Sequence, residues 1–286
     1  MKRSKLWLVV LAAVAGFTSA QTVRAITFGE LDNGRHPNVG AVMLVNVPGA
    51  SGPLMFLSGT LIGPRIFLTA AHGTALLEWA LTNGFSLGDI HVTFKDDPYD
   101  ESGWLHVAAV YTHPGYKPAK VTDTEFVDAH GYGAINIEDA GVLVLEAPSA
   151  ITPVALPPVG FLDALKRSGQ LNPETKFLAV GYGSHASFSP PGSVGDNRYR
   201  ELVTSDYRFL TPGWLGFSMN LMLGNGGGGY GDSGGPRFWV DPADGSEHLV
   251  SVTSRGDPML VAIDISYRID TATALDWIEA VRAMYP

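Results

Sequence analysis

From Ile26 onward the apolar residues arrive in short runs closed by glycine, proline or asparagine, a texture that favours strands joined by turns. Val39 to Val47, Met55 to Leu61, Ile66 to Ala70, His91 to Phe94 and Trp104 to Tyr111 form one set of such runs. Phe177 to Tyr182, Arg200 to Val203, Pro236 to Val240, Leu249 to Ser254 and Leu260 to Ile269 form a second, and the proline-rich stretch Pro148 to Pro158 is the natural connector. The tail, Thr271 to Met284, changes period, with Leu275, Ile278 and Val281 at helical spacing. The expectation is an all-β chain with a helix at its end.

Two segments on this scaffold carry chemistry. Leu68-Thr69-Ala70-Ala71-His72 and Gly231-Asp232-Ser233-Gly234-Gly235-Pro236 each set a reactive side chain on a backbone of small residues. A serine is a poor nucleophile at neutral pH and needs a base within hydrogen-bond reach, which His72 supplies for Ser233. The stretch Gly231 to Gly235 also fits G-x-S-x-G, the strand-to-helix elbow of α/β-hydrolases. Those enzymes place the histidine after the serine. Here only His248 follows Ser233, and the tail is too short for the rest of that fold. Gly224 to Gly229 lacks the Gly-Lys-Ser/Thr that a phosphate loop requires.

In order and separation the two segments resemble those of the trypsin/chymotrypsin-like serine proteases, and Ser58 to Ile62, Gly181-Tyr182-Gly183 and Leu249 to Gly256 extend the likeness over nearly all of Ile26 to Trp277. The resemblance implies two antiparallel six-stranded β-barrels with a C-terminal α-helix, the first barrel at residues 26–148 and the second at 149–286. It implies a secreted serine endopeptidase acting on proteins or peptides through His72, an acid and Ser233. The acid opens a buried strand in that family. Asp139, ahead of Ala140-Gly141-Val142-Leu143-Val144-Leu145, fits, whereas the rivals Asp123 and Asp128 lead into no apolar run. Two competing readings are a catalytically silent binding or inhibitory relative and a restricted esterase on the same fold.

The resemblance also assigns the remaining site residues. The N–H groups of Gly231 and Ser233 form the oxyanion hole, and Ser254 and Gly256 bind the substrate backbone as an added strand. Ser254 also supports Asp139. Gly227 takes the pocket floor, where an Asp would select Lys or Arg, so an apolar or aromatic residue before the cut bond is expected. Asp264 falls on the opposite pocket wall if Ser266 to Ile269 aligns with the family, where an acid would restore a preference for Lys or Arg; otherwise it is a surface or strand-end carboxylate. Ile26-Thr27-Phe28-Gly29 resembles the mature N-terminus, whose freed ammonium pairs with the acid before the serine, here Asp232. No cofactor is required, although Asp96, Asp97, Asp100 and Glu101 lie where some relatives bind calcium.

Residues 1–20 read as a secretory signal: Lys2, Arg3 and Lys5, an apolar run from Leu6 to Phe17, then Thr18-Ser19-Ala20. Gln21 to Ala25 reads as a short propeptide, with Val23-Arg24-Ala25 as the alternative processing site. The first 25 residues hold four of 19 basic and none of 28 acidic residues, leaving 15 against 28, a net −13 that disfavours nucleic acid and anionic membranes as partners. The expected product is an extracellular or periplasmic monomer. There is no cysteine, which removes both a thiol nucleophile and a disulfide framework. Leu57 and Gly73 stand where animal members of the family commonly carry a bridged pair, so the likeness is to a disulfide-free, bacterial-type branch.

Overall fold

The computed structural model describes residues 26–117, 138–188, 191–195, 199–257 and 259–286, with the backbone alone for 185–188 and 191–195. The expected signal and propeptide, and the rival acids Asp123 and Asp128, lie outside the described residues.

After the two-residue β1 (Glu30–Leu31) come β2 (Val39–Leu44), β3 (Leu54–Gly63), β4 (Ile66–Thr69), β5 (Ile90–Thr93), β6 (Leu105–Thr112) and β7 (Gly141–Leu145). These six pair antiparallel in the order β2-β3-β4-β7-β6-β5, and β5 returns to β2 to close a barrel. Successive side chains on a strand face opposite ways. Val42, Leu57, Phe67, Val92, Val107 and Leu143, one from each strand, therefore meet in the interior. Their outward-facing neighbours Val39, Ala41, Leu68 and Val142 join a second cluster shared with the other half of the chain. Covered on both faces, β2, β4 and β7 are buried along their whole length, which is why they read as unbroken apolar runs.

The second half holds β8 (Lys176–Gly181), β9 (His185–Phe188), β10 (Pro191–Gly195), β11 (Glu201–Leu210), β12 (Trp214–Ser218), β13 (Pro236–Val240), β14 (Glu247–Gly256) and β15 (Ile263–Arg268). β8 pairs with both β11 and β13, closing β8, β11, β12, β15, β14 and β13 into a second antiparallel barrel. β9 and β10 form a separate hairpin. β1 pairs with β11, Glu30 opposite Leu202, so the start of the described chain lies on the second barrel.

Three helices complete the described structure: α1 (Ala71–Thr82), α2 (Phe161–Arg167) and α3 (Ala272–Ala283). The expected terminal helix is α3, capped by the Thr271 side chain, which accepts from Ala274 N–H at 3.2 Å. It buries Ala274, Ile278 and Val281 in the cluster between the barrels. Among the described residues no helix is long and apolar enough to cross a membrane.

One buried cation ties the halves together. Arg200, 2 % exposed, donates to Asp32 Oδ2 at 2.8 Å and Asp96 Oδ1 at 2.6 Å. It also donates to the carbonyls of Val39 and Phe94 in the first barrel, both at 3.0 Å.

Candidate active site

α1 starts without a side-chain cap, because its N-cap residue is Ala70. The first N–H groups of a helix have no partner within it and favour negative charge. Asp139 fills that place from β7's entry: its Oδ1 accepts the backbone N–H of His72 at 2.8 Å. The same carboxylate meets the ring, with His72 Nδ1 3.0 Å from Oδ2 and 3.2 Å from Oδ1. Ser254 Oγ donates to Asp139 Oδ2 at 2.5 Å from the other barrel. Asp139 is 2 % exposed, while a third of the His72 side chain, 33 %, faces solvent. Burial opposes charge on His72, yet Asp139's negative charge and hydrogen bond outweigh it and hold the imidazole above its ordinary value.

Ser233 sits in a turn that only glycines permit. Gly231 and Gly234 have φ of 99° and 81°, in the left-handed region. A Cβ on Gly234 would stand 2.0 Å from Thr69 Oγ1 and 2.5 Å from Ala70 N. This close approach sets the serine turn against the segment that carries His72. The turn is held on β14 by Gly234 N–H donating to Thr253 O at 2.7 Å and Thr253 N–H to Gly235 O at 2.8 Å. Among the described residues, no backbone acceptor takes the N–H of Gly231 or Ser233.

His72, Gly231, Ser233, Ser254 and Gly256 line one cavity of about 340 Å³. Pairing of β13 with β14 stops at Val252, so the backbone from Ser254 to Gly256 borders that cavity beyond the last β13 partner.

Gly227, expected at the pocket floor, is not among the lining residues; it exchanges backbone bonds with Thr27 at 2.9 and 3.2 Å. Gly228, Gly229 and Asp264 line the cavity instead. Asp264 is 1 % exposed and ion-paired with Arg237, so it is neither a surface nor a solvated strand-end residue. Arg237 escaped the sequence reading, although a lone cation in the apolar run Pro236 to Val240 was a visible signal.

Ile26 is buried against Ala179 and Val203. Asp232 is buried too, its carboxylate accepting the N–H groups of Gly183 and Gly229, each at 2.7 Å. Burial pushes this carboxyl up to about 7. Among the described residues no cation lies within ion-pair distance of it. In the acidic loop, Asp96 is engaged by Arg200 and Asp100 by Lys95 at 3.4 Å. Among the described residues no group of three or more His, Asp or Glu side chains is placed to hold a metal ion.

No curated protein matches the chain significantly. The family model described as Trypsin matches residues 37–278. That span takes in both barrels and the segments of His72, Asp139 and Ser233, and the chain belongs to the trypsin family.

Proposed function

We propose that the protein is a secreted serine endopeptidase in which Ser233, His72 and Asp139 form the catalytic triad. The observation that carries this reading is the joint placement of His72, held at Nδ1 by buried Asp139, and Ser233 in one cavity. Ser233 Oγ attacks the scissile carbonyl while His72 takes its proton, and His72 then protonates the leaving amine. Water attacks the acyl-enzyme by the same route in reverse. The developing oxyanion is received by the N–H groups of Gly231 and Ser233, a contribution of about 10²–10³ in rate per donor. The substrate lies along Ser254 to Gly256 as an added strand. The side chain before the cut bond enters between Gly228, Gly229 and Asp264 and is apolar or aromatic.

Cleavage before Ile26 switches the enzyme on. Asp232 is a buried carboxylate with two amide donors and, among the described residues, no cation within ion-pair distance; the ammonium of a freed Ile26 supplies one. Ile26 also has φ of 42°, an unfavourable value for a β-branched residue, and a new N-terminus relieves that constraint.

The test is to incubate protein beginning at Ile26 with a diverse peptide mixture and read the cuts by mass spectrometry. Cuts absent from Ser233→Ala, with fluorophosphonate labelling of Ser233, are the expected result. A folded protein that neither cuts nor labels would remove the reading.

A further inference from the structure

We propose that Arg237 is a positioning residue that cancels the charge of Asp264, and that this pair keeps lysine and arginine side chains out of the cleft. The inference deepens the endopeptidase reading and rests on it.

Two acids line the cleft, Asp264 and Asp257; Asp264 accepts the N–H of Gly228, and Asp257 lies on the loop that follows Gly256. Unpaired, Asp264 would attract a cationic side chain. Arg237 lies on β13, the strand that leaves the serine turn, and is 0 % exposed. Its Nη2 donates to Asp264 Oδ2, its Nη1 reaches Ser205 Oγ at 3.4 Å, and its guanidinium lies 4.7 Å from the centroid of the Phe217 ring. Ser205 and the Phe217 face flank the cation on the carboxylate, while Arg237 Nε and Asp264 Oδ1 are buried with no hydrogen-bond partner among the described residues.

The glycines complete the arrangement. Gly228 N–H donates to Asp264 Oδ2 at 2.5 Å, and a Cβ on Gly227 or Gly228 would come within 2.9 or 3.1 Å of the same oxygen. Asp264 thus shares with Met219 and Thr253 the space that side chains at Gly227 and Gly228 would take.

Burial pushes the Asp264 carboxyl up, while Arg237 beside it works the other way. With the carboxyl ionised, the pair is neutral. With it protonated, Arg237 leaves a positive charge. In neither state does the pair carry net negative charge, and Asp232, which accepts the N–H of Gly229 nearby, is taken up by the new ammonium in protein beginning at Ile26. An entering Lys or Arg would lose its hydration and gain no counterion, a penalty that an apolar or aromatic side chain does not meet.

The experiment compares cleavage profiles of the protein beginning at Ile26 with those of Arg237→Met, Arg237→Lys and Arg237→Met/Asp264→Asn, using one peptide mixture. The unmodified enzyme is expected to cut after apolar and aromatic residues. Arg237→Met should raise the ratio of cuts after Lys and Arg to cuts after Phe and Leu by about 30-fold, the smaller end of what freeing a buried charge brings. Arg237→Lys should leave that ratio unchanged, and the double variant should return it to its starting value. A ratio unmoved in folded Arg237→Met would overturn the proposal.

Should Arg237→Met fail to fold, calorimetry of benzamidinium, a compact aryl cation, with the otherwise unmodified Ser233→Ala protein decides. No detectable binding is expected. Tight binding, or Lys and Arg dominating the cuts of the unmodified enzyme, would overturn the charge assignment while leaving the endopeptidase intact. No Ser233-dependent cut at all would sink the underlying reading instead.

Discussion

The backbone N–H of Ser58 donates to the carbonyl oxygen of Ser233 at 3.0 Å, so the first barrel grips the residue that the second barrel presents. The Ser58 hydroxyl donates to Gly231 O at 3.0 Å and accepts the N–H of Tyr182 at 3.1 Å. Ser58 thereby braces the turn on both sides of Asp232, through its hydroxyl at Gly231 and its backbone N–H at Ser233. Ser58→Ala leaves a carbonyl and an N–H without this partner, at a cost of about 1–3 kcal/mol. Because the hydroxyl fixes the Gly231–Asp232 peptide, which lies between the Gly231 and Ser233 N–H groups, kcat is expected to fall about tenfold with KM little changed. Steady-state kinetics on a standard peptide would check this, and a loss confined to KM would contradict it.

His72 must be neutral to accept the serine proton. Asp139 holds its charged form more favourable than usual, above the ordinary 6.5, so activity should be lost as pH falls through a value higher than 6.5. Asp139→Asn removes the negative charge. The acid limb of kcat/KM should then move to lower pH, and the plateau should drop about 10⁴-fold because the tautomer is no longer fixed. An acid limb that stays put in Asp139→Asn would show that another group sets it.

Strands buried on both faces were legible because they stand out as compact apolar runs: Ile66 to Ala70 was expected and Ile66–Thr69 is found, whereas closure into two barrels was legible only through the family resemblance. α1 was not legible, since its apolar residues do not gather on one stripe and Gly73 interrupts it. Its start is fixed by the distant carboxylate of Asp139, which no local pattern reveals. β12 also escaped notice, a five-residue strand between turn residues whose partners β11 and β15 lie on either side in sequence. His72 and Ser233 could be proposed because their motifs carry them, and Asp139 because it leads into an apolar run as the family's acid does. The Arg237 and Asp264 pair could not, since it depends on which faces of β13 and β15 meet inside a closed barrel.

A Leu–Gly contact stands at the two positions where a cysteine pair is common in the family. A Cβ on Gly73 would lie 2.3 Å from Leu57 Cδ1, so the leucine packs directly over the helix backbone. On an open helix face Gly→Ala would stabilise by about 1 kcal/mol. Here Gly73→Ala overpacks the site and should destabilise by about 1–3 kcal/mol. Leu57→Ala opens a cavity costing about 2–5 kcal/mol. In the double variant the new methyl fills part of that cavity, so the two losses should fall short of additive by about 1 kcal/mol. Urea unfolding of the four proteins measures the coupling, and strict additivity would show that the contact is not what fixes glycine there.

Asp232 should respond with opposite signs before and after processing. In a chain still joined at Ala25, its carboxyl titrates near 7 rather than the ordinary 3.8, because burial penalises the ion. A carboxyl raised on folding binds its proton more tightly in the folded state. Its contribution to stability is therefore lost as pH rises from about 4 to about 7, and ionisation is most costly above 7. Asp232→Asn should make the unprocessed protein more stable than the parent at pH 8, with the gap closing toward pH 4. In protein beginning at Ile26 the same substitution deletes the partner of the new ammonium, where breaking a buried pair costs about 3–5 kcal/mol. That form should lose both melting temperature and kcat/KM. Melting curves of the two forms, each with and without the substitution, give the comparison. A change of the same sign in both would show that Ile26 does not pair with Asp232.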